Sequence, residues 1–123
     1  MKGDLSILHT LIRDCADNLE REAFEAINLH SRKADHRIIA ENTTMLYLYD
    51  GRSPHSLAAA PFEADCLFGF RHGRDFMPPC GSAFFGADIM CAVLSSQMCE
   101  KNETTVLIDI GTNGEIALCT IIS

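Results

Sequence analysis

Apolar residues recur at three- and four-residue steps through the N-terminal stretch: Leu5, Leu8, Ile12, Cys15 and Leu19, continued by Ala23, Phe24 and Ile27. That spacing predicts one buried face of a long amphipathic helix, with Asp4 as its N-cap. The opposite face carries Arg13, Asp14, Asp17, Glu20, Arg21 and Glu25 and reads as solvated surface. His30 to Asp35 is polar and reads as a loop. His36–Ala40 is a short strand candidate, and Asn42 or Thr43 can cap a helix reaching about Tyr49, stopped by Asp50-Gly51. From Arg52 to Cys80 four prolines (54, 61, 78, 79) and Gly69 and Gly73 break the pattern. This predicts a long irregular connection, functional or an interface, with His55 and His72 facing solvent. A second helix is expected from about Ala83 to Cys99, with Ala87, Met90, Cys91, Leu94 and Met98 on its buried face. Two apolar runs then flank Gly111-Thr112-Asn113-Gly114, and Asn-Gly between such runs signals a β-hairpin. The order is helix, strand, helix, loop, helix, strand, strand: an α/β chain.

A length of 123 residues suits one modest core, and 47% apolar against 22% charged residues places the chain among globular rather than disordered sequences. A net charge of −7 argues against nucleic acid or an anionic membrane as the main partner. Met1-Lys2-Gly3-Asp4 leads straight into the amphipathic pattern, and no apolar run approaches the ~20 residues of a membrane span, so a cytoplasmic location is expected. The six cysteines (15, 66, 80, 91, 99, 119) form neither Cys-x-x-Cys nor a zinc-finger spacing. They are expected to be reduced thiols packed as small hydrophobes.

The hairpin also has a chemical reading. Asp109 ends the first run and feeds a Gly-rich turn whose N–H groups can cradle an anion, while its carboxylate can face Mg²⁺ through water. Asn42-Thr43-Thr44 reads first as a helix cap. In Gly86-Ala87-Asp88, small residues permit close packing and the acid suits a helix start.

Three motifs stand in order: Glu41-Asn42-Thr43-Thr44-Met45-Leu46, Ser82-Ala83-Phe84-Phe85-Gly86-Ala87-Asp88-Ile89, and Leu107-Ile108-Asp109-Ile110-Gly111-Thr112-Asn113-Gly114-Glu115-Ile116. Together they resemble the C-terminal ATPase region of the reductive activators of corrinoid proteins, over Ile38 to Leu118. The resemblance implies a partial actin-like, ribonuclease H-like fold. It divides the chain into residues 1–51 ending a first subdomain, 52–80 as connection, and 81–123 opening a second subdomain with its phosphate hairpin. It implies ATP and Mg as cofactors of the intact protein and an iron–sulfur cluster in a domain N-terminal to this stretch. The implied partner is the corrinoid protein of a methyltransferase system, whose cob(II)alamin-type cofactor is reduced at the expense of ATP. Carried over, Gly111, Thr112, Asn113 and Gly114 would cradle phosphate, Asp109 would face Mg²⁺, and Asn42, Thr43, Gly86 and Asp88 would add weaker contacts. Glu115, in the turn's exit, is expected to be structural, the alternative being that it orients a water.

Family members usually have glycine before Asn-Thr-Thr; Glu41 stands there, and a bulky acid could block a close backbone approach. The chain ends one strand past the hairpin, so it is expected to be a piece of a longer ATPase, inactive alone because one hairpin supplies half the phosphate clamp. A self-associating or partner-docking module is the alternative, since unpaired strand edges recruit partners. A cysteine-based metal or redox protein is a third.

Overall fold

A computed structural model describes residues 2–111 and 113–121. Helix α1 spans Lys2–Ala26, so Asp4 lies in its first turn, not at its cap. There its charge still favours the positive end of the helix. The face α1 turns inward is rotated from the predicted one: His9, Ile12, Arg13, Ala16 and Glu20 are partly covered, whereas Leu8, Leu19 and Ile27 are exposed. The cause is the surface it meets. Helix α1 packs on the helix Thr43–Tyr49, where Ile12 and Ala16 meet the core, and beside residues Arg37, Arg74 and Asp75 of the neighbouring sheet and its loop, with which Arg13 and Glu20 pair.

Strand β1 (Arg37–Ile38) runs parallel to β3 (Asp75–Met77), and β2 (Phe70–His72) pairs antiparallel on the other side of β3. The predicted irregular connection therefore holds the central strand of a three-stranded sheet. The two-residue loop Gly73-Arg74 joins β2 to β3, with Gly73 at φ +62, where an L side chain would be strained. A short helix α3 (His55–Ala58) lies in the same stretch and buries Leu57. His55 and His72 are exposed, as expected.

Helix α2 (Thr43–Tyr49) starts at the predicted cap. The Asn42 side chain accepts the Met45 N–H at 2.9 Å, relieving an orphan donor of the first turn. It buries Leu46, Tyr47 and Tyr49, and with Met77, Cys80 and Ala87 forms the core. Helix α4 (Ala87–Ser96) begins four residues later than predicted, because Ser82–Phe85 closes a tight turn. The Ser82 hydroxyl accepts the N–H groups of Phe84 and Phe85, and Gly81 donates to the Phe85 carbonyl at 2.8 Å. Ala87 and Ile89 are buried, but Leu94, predicted inside, is 76% exposed. Gln97, in the left-handed conformation, ends α4, and a 3-10 turn (Met98–Glu100) follows.

Strands β4 (Thr105–Ile110) and β5 (Gly114–Cys119) form the predicted hairpin, separate from the first sheet. The ladder closes with Gly114 paired to Ile110. One face, with Leu107, Asp109, Glu115, Ala117 and Cys119, is half-buried on the side of α4 and the 3-10 turn. The other face, with Val106, Ile108, Ile110, Ile116 and Leu118, is exposed, Ile110 at 90%.

Asp75, 1% exposed, joins these elements. It accepts two hydrogen bonds from the Arg37 guanidinium (2.7 and 2.9 Å), one from the Tyr49 hydroxyl (2.7 Å) and one from Arg13 (3.2 Å). A buried carboxylate is tolerated only with such partners. The Arg37 bonds hold its carboxyl at about 2, below the ordinary range. Burial, then the bond to Asp75, pushes the Tyr49 phenol up to about 12. Of the cysteines, all free, Cys80 is buried while Cys15 and Cys99 are exposed, so the expectation of packed thiols fails for those two.

Candidate functional site

The start of α2, the turn before α4 and the tip of the hairpin come together around a cleft of about 300 Å³, lined by Asn42, Thr43, Thr44, Phe84, Asn113 and Glu115 among others. All three sequence motifs thus meet at one place, although they are far apart in the chain.

Two of the motifs are zipped directly. The Glu41 carbonyl accepts the Ala87 N–H at 3.0 Å and the Asp88 N–H at 3.4 Å, and the Thr43 hydroxyl donates to the Ser82 carbonyl at 2.8 Å. A Cβ on Gly86 would lie 2.5 Å from the Asn42 Cα and 2.9 Å from the Glu41 oxygen. Glycine is therefore required at 86 for the backbones to approach. The clearance expected from a glycine at position 41 is supplied from the other side, and the exposed Glu41 side chain does not block it.

This geometry reassigns several predicted contacts. Thr43, 1% exposed, spends its hydroxyl on Ser82, and Asn42 spends its amide oxygen on the helix cap. Gly86 is buried against Asn42. Asn42 and Thr43 build the wall of the cleft, whereas Gly86 and Asp88 are not among its lining residues, and the Asp88 carboxylate accepts the N–H of Ile89 at 2.8 Å. Asn113 and Gly114 line the cleft, whereas Gly111 and Asp109 are not among its lining residues. Thr112 lies outside the described residues.

Glu115, expected to be only structural, faces the cleft and stands directly across the ladder from Asp109. Partial burial, and then the charges of Asp88 and Asp109, raise its carboxyl above the ordinary value. Like charges directly opposite on a ladder are destabilising, so a cation would relieve them. Among the described residues no group of three His, Cys, Asp or Glu side chains is arranged to hold a metal ion. An ion here would be bound by one or two carboxylates and complete its shell with water and phosphate oxygens, the habit of Mg²⁺. The residues fit Mg-phosphate in that limited sense. Thr44, Ala83 and Phe84 also line the cleft. They belong to the motifs but were not predicted as contacts; the adjacent aromatics Phe84-Phe85 in an otherwise small, polar turn were the available signal.

A larger cavity, about 390 Å³, lies at the C-terminal end of α1 near Phe24, His30, Lys33 and Arg74. Arg74 is committed there to Glu20, whose carboxyl its hydrogen bond holds down at about 2.

No helix among the described residues is long and apolar enough to cross a membrane. No curated protein matches the chain at a significant level. A family model does, over residues 1–101, from α1 through the 3-10 turn. Its description is RACo middle region. The sequence resemblance put Ile38–Leu118 in the C-terminal ATPase region; the matched region is the middle one, and the hairpin lies beyond its end.

Proposed function

The chain belongs to the RACo family through its middle region, and from that premise we propose that it is part of an ATP-dependent reductive activator of corrinoid proteins. In this reading the protein couples nucleotide binding to electron transfer onto a cob(II)alamin-type cofactor of a methyltransferase system. An uphill reduction needs such coupling, and a ligand drives it only through differential affinity for two conformations.

The observation that carries the reading is the convergence of Asn42-Thr43-Thr44, Ala83-Phe84 and Asn113-Gly114-Glu115 on one cleft. Backbone N–H groups of the hairpin tip would orient phosphate oxygens. Asp109 and Glu115 would hold Mg²⁺, which when bound supplies charge neutralisation between these carboxylates and the phosphates. The Gly86–Asn42 contact fixes the α2 and α4 starts as a rigid wall, so that closure falls to the hairpin. The actin-like fold, the ATP and the iron–sulfur partner domain belong to this proposal.

One hairpin offers one side of a phosphate clamp. Isothermal titration of Mg-ATP into this chain is expected to give a Kd weaker than ~1 mM. Micromolar binding would overturn the half-clamp reading, and binding abolished by Glu115→Lys would locate the weak site.

A second reading rests on the exposed aliphatic face of β4 and β5. A two-stranded hairpin is marginal alone, and this face would be covered by a second copy of the chain. Light scattering across a concentration series distinguishes the two, because a monomer throughout removes the self-associating module.

A further inference from the structure

Cys119 ends β5 opposite Thr105, at the open end of the hairpin away from its turn. The 3-10 turn carrying Cys99 packs against β4, and α4 packs against β5. Cys119 points to the half-buried face of the hairpin, toward that turn, while Cys99 is exposed. The Cys99 thiol beside Cys119, and then desolvation, raise the Cys119 thiol above its ordinary value, which leaves Cys119 the resolving rather than the attacking thiol. The other cysteines lie on different elements. Cys80 is buried, so an oxidant in solution does not reach its thiol, the setting of an inert cysteine.

We propose that Cys99 and Cys119 form a reversible dithiol–disulfide site that fastens the open end of the hairpin to the turn after α4. The oxidant is a small-molecule disulfide of the glutathione class. The exposed Cys99 thiolate attacks it, forming a mixed disulfide and releasing one thiolate. Cys119, as thiolate, then attacks the Cys99 Sγ and expels the second. Two protein thiols become one disulfide, and one disulfide oxidant becomes two thiols. The link closes a loop containing the whole hairpin. Its outer face is exposed and few contacts hold it to the body, so the covalent tie would set how far the hairpin moves. The proposal is independent of what the cleft binds.

The test equilibrates the full chain with oxidised and reduced glutathione, quenches with an alkylating reagent and maps peptides by mass. The expected product is a monomer lacking two hydrogens, with Cys99 joined to Cys119. In Cys119→Ser, Cys99 is expected to stop at the glutathione adduct. Amide exchange in β4 and β5 is expected to slow at least about tenfold on oxidation. The proposal fails if wild-type Cys99 stops at the adduct with Cys119 still free, or if the linkage forms only between chains. It fails equally if exchange in the hairpin is the same in both redox states.

Discussion

At the scale of single residues, two positions besides the apolar core tie separate elements together, one small and one charged. Gly86 is the sharpest case, because an added methyl would sit 2.5 Å from backbone that cannot yield. Gly86→Ala is expected to cost about 2 kcal/mol or more through forced separation of the α2 and α4 starts. Urea denaturation measures it, and a loss under about 0.5 kcal/mol would mean the two starts are not rigidly joined. Asp75→Asn removes the carboxylate that Arg37, Tyr49 and Arg13 all donate to, but Arg37 keeps Asp17 and Glu20, so the change should cost about 1.5–3 kcal/mol. The same residues set the acid limit. The folded carboxyls of Asp75 and Glu20 lie near 2, against ordinary values of 3.8 and 4.5. Between those limits the unfolded chain binds more protons, so stability is full above about pH 5 and falls as pH drops toward 2. For Asp75 this amounts to about 2 kcal/mol. In Asp75→Asn the slope of stability against pH below 5 should flatten; an unchanged slope would remove Asp75 as its source.

At the scale of elements, the hairpin β4–β5 is the least secured piece. Its aliphatic face is open, Ile108 at 62% and Ile116 at 69% exposed. Ile108→Lys should therefore change folding stability by no more than about 0.5 kcal/mol, and on the self-association reading it should suppress concentration-dependent association in light scattering. A larger loss would mean the face is packed in solution. Elements with strong local signals were legible in the sequence. The α2 cap at Asn42 and the β4–β5 turn need only residues a few positions apart. Strands β2 and β3 were not legible, because each is three residues long and carries polar side chains (Arg71, His72, Asp75) where alternation gives no clean reading. The Gly73-Arg74 loop was the one local clue, diluted by surrounding prolines. The inward face of α1 was misread because periodicity assumes an apolar partner, and part of the surface it meets is charged.

At the scale of the whole molecule, the candidate cleft was half legible. The three motifs were visible, but their meeting at one place depends on the Glu41–Ala87 hydrogen bond and the Gly86 contact, which no spacing encodes. The sequence also treated Asn42 and Thr43 as ligand contacts. In the structure the Thr43 hydroxyl and the Asn42 amide oxygen are already committed, so these two residues shape the cleft.

The arrangement around Asp75 has a consequence in time. Arg37 and Asp75 are 38 positions apart, Arg13 and Asp75 are 62 apart, and β1 can join only a parallel partner already paired in a hairpin. Such closures are slow compared with the microseconds a hairpin needs. During refolding β2–β3 and β4–β5 would form first, and the ion-paired junction last. Interactions absent from the transition state set the unfolding rate. Asp75 is then expected to govern how long the folded chain survives more than how fast it forms.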